Sequence, residues 1–566
     1  MKVKSLTTKD NSIVLIQKFT ILVGPNNVGK SQTLRDIHAI MTQGKSSRTT
    51  IIRDIEFEKP ASFDDFLGGL LVTDDPNQIG LKQIKGLQSD LTSRNPLRMN
   101  LKDLENQFTA APTVDFAIPH ISQFRVAFLD ASSRLYLAQS TQSHNPHVEM
   151  PQNPLQSLFA KPEKEEKLRQ AFLDTFGMDI KLDYSGMTRL MLRVAKEFEE
   201  IPKDPRDAYP IVSKYKQLDQ QGDGFRSFVG VVLSLLLSEE RVILLDEPEA
   251  FLHPAQAKRL GKWIADYSKD ISGQIIVATH NANFLSGILS SDQGVDIYRL
   301  NRTDDNTVYR RITSEATSKL AKSPLLSSQP VLESIFYSGV GVCEADTDRI
   351  LYQAVALREF DNHRVLFVHA HNKQTVKDVL NLLVEATIPV CAIVDIDIMN
   401  SEEDLRNILL ALKQNLSSEA LEMRKKVAMV VEGTPDEMLV GALRDPIAQF
   451  LHELDEKKHT PSSARSVLRQ AYRKLSKWAH VKRHGLVGVP EQERSTAAKL
   501  IERAKEFGLF IVPVGELEGW INVGTTQKNK WIVKALQALD QGQCTPNLRN
   551  FVKDILGYLD RNASQK

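Results

Sequence analysis

Cysteine is scarce in this chain. Cys343, Cys391 and Cys544 are the only three in 566 residues. They are too few and too far apart for a disulfide framework, and none forms a Cys-x-x-Cys half-site for zinc. Long hydrophobic runs are missing too. The longest near-apolar stretch, Val229 to Leu237, falls far short of the roughly 20 residues that cross a bilayer. Met1 to Leu6 carries no apolar core of a secretory signal. A cytoplasmic protein with no membrane association is expected. Neither sign of charge dominates: 72 Lys and Arg stand against 71 Asp and Glu, a formal charge of +1. A wholesale polycation is excluded, so any nucleic-acid surface has to be a local patch. There is no internal repeat, and no long low-complexity tract. The remaining composition, 42% hydrophobic and 25% charged, is that of an ordinary globular protein. At roughly 150 residues per unit the chain has room for three or four units, with cores that need no covalent staple.

The pattern of apolar runs divides the chain in two. Ser12 to Ile16 and Phe19 to Val23 read as strands ahead of a Gly/Pro/Asn turn. Residues 45 to about 215 are less periodic and carry loop punctuation, with Pro162 to Phe176 as a clear amphipathic helix. Short buried-strand runs return at Val242 to Leu245 and Ile275 to Ala278. Ser314 to Pro330, rich in Ser, Lys and Pro, reads as a linker and places a boundary between residues 1–325 and 326–566. Beyond it, Gly339–Cys343, Val365–Val368, Val390–Val394 and Leu509–Val514 alternate with helical patterns. That alternation predicts a second α/β unit with a parallel sheet.

The first unit holds the most specific motif. Gly24-Pro25-Asn26-Asn27-Val28-Gly29-Lys30-Ser31, followed by Gln32, satisfies G-x-x-x-x-G-K-[ST] and lies between a strand and a helix. Its glycines let backbone N–H groups wrap phosphates at a helix N-terminus. Lys30 would reach the β- and γ-phosphates of ATP, and Ser31 would hold Mg²⁺. Downstream, Val242-Ile243-Leu244-Leu245 runs into Asp246-Glu247. Asp246 suits the Mg²⁺ shell, and Glu247 suits orienting and deprotonating the attacking water. Continued through Pro248-Glu249-Ala250-Phe251-Leu252-His253-Pro254, this segment resembles the Walker B and D-loop run of ABC-type ATPases. Thr279-His280 after the next strand then looks like that family's switch histidine. Gln221-Gly222-Asp223-Gly224-Phe225-Arg226-Ser227 occupies the signature position. It departs from Leu-Ser-Gly-Gly-Gln, so Gly222 and Gly224 are matched by place more than by chemistry. The long stretch between Walker A and signature is typical of the SMC/RecF-like side of the class.

The second unit gathers acids. Glu344 ends one apolar strand, Asp348 follows on a helix, and Asp395-Ile396-Asp397 ends another strand. Carboxylates at the ends of parallel strands converge at one sheet edge and suit hard divalent cations. Taken singly, Asp348 reads as a helix cap. After Leu509–Val514 come Glu516 and Glu518, in a segment that reads as a late acidic motif or as a solvated turn, and then Lys528 and Lys530. Lys457 to Arg483 holds nine Lys and Arg and no acid, either a solvated face or a DNA-backbone surface. His144 and His147 read as loop histidines, and Cys343 and Cys391 as small buried strand residues.

Glu-x-x-x-Asp followed by Asp-x-Asp, each after an apolar strand, resembles the Toprim domain. An ABC-type ATPase joined to Toprim resembles the OLD (overcoming lysogenization defect) family of nucleases. The resemblance implies an α/β protein: an ATPase domain with a largely helical insertion over about 45–215, then a Toprim domain with a mainly parallel sheet. It implies ATP and Mg²⁺ as cofactors, with Mn²⁺ or Ca²⁺ possible at the Toprim site. Glu344, Asp348, Asp395, Asp397 and Glu518 would be metal ligands, and Glu344, Asp395 and Lys528 or Lys530 catalytic. It implies DNA cleavage in anti-phage defence, a homodimer through the ATPase half or a higher oligomer, and a partner protein such as a helicase. The rival readings are an ATP-gated RecF/SMC-like scaffold with a non-catalytic Toprim domain, and a Toprim ribonuclease.

Overall fold

The computed structural model describes residues 1–93, 96–110, 119–237, 240–303, 306–313, 316–317, 319, 329–370, 373–415, 417–434, 448, 451, 460–461, 465, 477–525 and 527–565. Most of the linker Ser314 to Pro330 and most of the basic run Lys457 to Arg483 lie outside them. The chain forms two compact units, Met1–Phe336 and Tyr337–Lys566, so the division falls after the boundary expected at 325/326. The reason is local. Val331, Leu332 and Ile335 are buried, and the Ile335 carbonyl accepts a 3.1 Å hydrogen bond from Nε of the buried Arg299. That ties the end of the linker to the first unit.

The first unit is built on a six-stranded sheet. In spatial order its strands are Asn306–Arg311, Asp296–Thr303, Phe19–Val23, Gln274–Ala278, Val242–Asp246 and Val126–Leu129. All neighbours run parallel except the Asn306–Arg311 edge. Phe19–Val23, Val242–Asp246 and Gln274–Ala278 are buried along their whole length. Their continuous apolar sequence follows, because helices cover both faces of a parallel sheet. A smaller antiparallel sheet pairs Lys2–Thr8 with Ile13–Leu15 and Ile52–Glu58.

The segment 45–215 is not the largely helical insertion expected. Pro162–Phe176 is a helix as read, but Ile52–Glu58 joins the N-terminal sheet and Val126–Leu129 is a strand of the central sheet. Asp179–Asp183 and Arg189–Ala195 pair as antiparallel strands, with shorter strands on either side of the latter. Leu71–Asp74, Lys82–Lys85 and Leu97–Met99 form a further meander. These strands are short, and several expose one face, so their apolar residues alternate instead of forming the runs that mark a buried strand.

In the second unit the four apolar runs form four parallel strands. Their order is Val365–His369, Gly339–Cys343, Val390–Asp395, Leu509–Val512. Cys343 and Cys391 are fully buried in this sheet. The core on one side is packed by the helices Asp346–Phe360, Lys528–Asp540 and Pro546–Gln565, including Tyr352, Trp520, Trp531 and Phe551. Among the described residues no helix is long and apolar enough to cross a membrane.

Candidate functional site

In the first unit, the strand Phe19–Val23 delivers the loop 24–29 to the N-terminus of the helix Lys30–Gln43. Gly24 and Gly29 both have positive φ, 139° and 100°. A Cβ at Gly24 would stand 2.4 Å from the Leu300 carbonyl oxygen, and one at Gly29 2.3 Å from Ile51 Cδ1. The loop is therefore wedged between neighbours that only glycine admits. Thr307 Oγ1 donates to the Val28 carbonyl at 3.0 Å. Lys30 is buried and folds back on the loop, its Nζ donating to the carbonyls of Gly24 (2.8 Å) and Pro25 (2.7 Å). Burial lowers its pKa to about 8, against the opposing pull of Glu247 and Asp246. Pro25, Asn26 and Asn27 complete the loop, Asn27 at φ 62°. Gln32 spends its amide on Asp36 at 2.8 Å. A cleft of about 950 Å³ opens beside this loop, lined among others by Asn26, Lys30, Ser31, Arg35 and Glu247. That is ample for a nucleoside triphosphate.

Ser31 Oγ donates to Asp246 Oδ1 at 2.8 Å, which brings the Walker A hydroxyl and the Walker B carboxylate together. Asp246 has a raised pKa, chiefly from burial. Mg²⁺ bound here would take these two oxygens plus phosphate and water, the sparse protein shell typical of that ion. Glu247 sits in the left-handed region at φ 49°, and its N–H bonds the Ala278 carbonyl at 2.9 Å. His280 Nδ1 lies 2.8 Å from Glu247 Oε1. The bond to His280 lowers the Glu247 pKa, and the same bond raises that of His280. The two residues read as base and switch thus meet, with Glu247 lining the cleft.

Two participants escaped the sequence reading. Arg134 is fully buried. It donates to the carbonyls of Leu129 (3.1 Å), Asp246 (2.7 Å) and Glu247 (2.8 Å), so it clamps the backbone on both sides of the Walker B junction. Glu249, also buried, accepts from Thr279 Oγ1 at 2.6 Å and has its pKa pushed by burial to about 7. Arg134 lies 112 residues before Asp246 in a segment without periodicity, so only the fold connects them. Glu249 had a signal, its place in the D-loop run. At the signature position Gly222 precedes the helix Asp223–Leu237, and a Cβ at Gly224 would stand 2.9 Å from the Phe251 carbonyl oxygen. This loop therefore packs on the D-loop of its own chain.

In the second unit the acids lie at the carboxyl edge of the parallel sheet. Glu344 follows Gly339–Cys343, and its Oε1 accepts from the Asp395 N–H at 3.1 Å. Asp348 caps the helix Asp346–Phe360 by accepting from the Ala345 N–H at 3.2 Å. Burial, followed by the nearby Asp395 charge, lifts its pKa to about 7. Glu516 has a raised pKa, first from burial and then from Glu518. Glu518 Oε2 is buried without a hydrogen-bond partner among the described residues. Lys528 and Lys530 are exposed at the start of the helix Lys528–Asp540. Lys528 acts on Asp348 and Glu516 only through its charge.

Among the described residues, the lysine in contact with the acids is Lys482, at the end of the basic run. Its Nζ lies 2.7 Å from Asp395 Oδ2 and 3.6 Å from Asp397 Oδ2. Burial alone would lower its pKa, but Asp395, Asp397 and Glu344 together hold it above the ordinary lysine value. Among the described residues no three His, Cys, Asp or Glu lie close enough together to hold a metal ion. The ligand set Glu344, Asp348, Asp395, Asp397 and Glu518 is thus not assembled in this arrangement. The physical reason is visible in the contacts: Asp348 is spent on its helix cap, and Asp395 and Asp397 on Lys482.

Residues 118–286 match the family model described as "AAA domain, putative AbiEii toxin, Type IV TA system". No curated protein matches the chain. Solved structures similar to it include an SMC head bound to the C-winged helix domain of ScpA, at 14% identity over 56% of this chain and 100% of that one, TM-score 0.35. The SMC head domain from Thermotoga maritima matches at 17% identity over 55% and 100%, TM-score 0.28. An SMC head with an extended coiled coil from Pyrococcus furiosus, bound to the C-terminal domain of ScpA, matches at 13% over 56% and 98%, TM-score 0.32. Ser31 of the loop 24–31 meets Asp246, Glu247 meets His280 beside the cleft, and the segment 118–286 that holds Asp246, Glu247 and His280 matches an AAA-domain model, so ATP use is the coarse reading that the first unit supports.

Proposed function

We propose that this chain is an ATP-hydrolysing, divalent-metal-dependent DNA endonuclease of the OLD kind, in which nucleotide binding to the first unit regulates cleavage by a Toprim-like second unit. The observation that supports the reading is the placement of Glu344, Asp395, Asp397, Glu516 and Glu518 just after the strands of a four-stranded parallel sheet with its own core. That carboxyl edge is where α/β sheets place their chemistry, and hard carboxylate oxygens there suit phosphodiester hydrolysis by a bound divalent cation. The role in phage defence, the homodimer and a helicase-like partner follow from the family resemblance alone.

A scaffold reading keeps one observation in its favour, the pairing of Lys482 with Asp395 and Asp397 in place of a metal. Incubating the full chain with supercoiled plasmid, with and without Mg²⁺, Mn²⁺ and ATP, separates the two. Metal-dependent nicking or linearisation that changes with ATP is expected. Intact plasmid under every combination would remove the nuclease reading and leave the ATP-gated scaffold.

A further inference from the structure

The acidic edge already holds a cation, and the chain itself supplies it. Lys482 stands on the helix Lys477–His484, 87 residues beyond Asp395. Its backbone has little freedom. A Cβ at Gly515, φ 92°, would stand 2.1 Å from the Lys482 carbonyl oxygen, and one at Gly485, φ 61°, 2.3 Å from the Pro513 carbonyl oxygen. Leu486 N–H donates to that same Pro513 carbonyl at 2.9 Å, and Trp478 and Val481 are buried. Two glycines thus press the end of the basic helix, backbone against backbone, onto the turn that carries Glu516 and Glu518. Such contacts are not needed to place a solvated lysine. They fix the root of Lys482 so that its ammonium reaches Asp395.

The geometry sets this ammonium and a divalent ion in competition for Asp395 Oδ2. A hard divalent cation binds carboxylate oxygens at about 2.0–2.6 Å, whereas the ammonium sits 2.7 Å from Asp395 Oδ2. Two cations crowded onto that oxygen would repel strongly at the effective dielectric of a partly buried site. The methylene chain of Lys482 is flexible even though its backbone is pinned, so the side chain is free to yield. We propose that Lys482 is a tethered counter-cation of the acidic edge, and that a divalent metal ion binds Asp395 and Asp397 only by displacing its ammonium. The inference rests on reading these acids as metal ligands, and it makes the second unit a site that folds closed and is opened by its own cofactor.

The test is Mn²⁺ binding by the full, nucleotide-free chain, followed by the electron paramagnetic resonance of the free ion. Wild type is compared with Lys482→Met, Lys482→Gln, Asp395→Asn and the Lys482→Met/Asp395→Asn pair, each checked by thermal melting for a native fold. Both Lys482 variants should bind Mn²⁺ about tenfold tighter than wild type or better, because the competing charge is gone. Asp395→Asn should cancel that gain in the double variant. Affinity unchanged or weakened in both Lys482 variants would overturn the proposal. Plasmid cleavage by wild type is scored separately: if there is none while Mn²⁺ binding behaves as stated, the endonuclease reading falls and the counter-cation stands.

Discussion

Both units end parallel strands in carboxylates, and the two sets of acids are treated differently. At the Walker B strand, Asp246 meets Ser31, Glu247 meets His280, and Glu249 meets Thr279. Arg134 holds the backbone under them. Each acid has a neutral or weakly charged partner, and Glu247 lines a cleft of nucleotide size. At the second sheet, Asp395 and Asp397 are met by a full lysine charge. A carboxylate paired with a hydroxyl can accept Mg²⁺ by modest adjustment. One paired with an ammonium has to exchange one cation for another. The contrast suggests that the ATPase edge is organised before its ligand arrives, and the acidic edge is not.

The sharpest way to break this contrast is at Glu247. Glu247→Gln should keep ATP binding yet slow hydrolysis by roughly 10²–10⁴-fold, since the amide cannot take the water's proton. Steady-state phosphate release with a parallel nucleotide-binding assay checks it, and hydrolysis near wild type would pass the role of base to another residue. Lys30→Ala should weaken ATP binding by roughly 10–100-fold, the loss of a charge-assisted contact to phosphate. Wild-type affinity by calorimetry would remove Lys30 from the phosphate site.

Arg134→Met tests whether the organised edge depends on its clamp. Loss of the guanidinium leaves the carbonyls of Leu129, Asp246 and Glu247 without their donor. A destabilisation of about 3 kcal/mol is expected by denaturant unfolding. Hydrolysis in the folded fraction should fall more than ATP affinity does. Equal losses in both would make Arg134 a structural residue only.

The smallest effect is electrostatic. His280 has a pKa above 6.5, so its share of the Glu247 pairing is fully present below pH 6.5 and is lost as pH rises through the raised value. Glu247, lowered, keeps its share until pH falls below its own range. Both side chains are partly exposed, 47% and 40%, so screening holds the pair to well under about 1 kcal/mol. The melting-temperature gap between wild type and His280→Ala should shrink as pH rises from 6 to 8.5. A gap independent of pH would mean that the imidazole is not charged in the pair.

The parts of the site that could be read from sequence were those whose chemistry is local. The loop 24–31 is one contiguous motif, and strands buried on both faces declare themselves as apolar runs, which is why Phe19–Val23, Val242–Asp246 and the four strands of the second unit were legible. Ile52–Glu58 and Arg189–Ala195 were missed because sheets with one open face mix polar residues into the strand. The order of the central sheet was hidden as well, since Val126–Leu129 joins it from within a segment read as an insertion. Arg134 and Lys482 act on groups 112 and 87 residues away along the chain. Lys482 was noticed only as one charge among nine, because a basic run says nothing of which member turns inward.

The central claim is that two chemically separate sites share this chain, and Asp395→Ala tests it most directly. Asp395 ends a strand of the second unit, and the substitution removes a carboxylate without touching Lys30, Asp246 or Glu247. Nicking of supercoiled plasmid and release of phosphate from ATP are measured on the same preparation. Cleavage should disappear while ATP hydrolysis stays near wild type. Nicking that persists at the wild-type level would contradict the account.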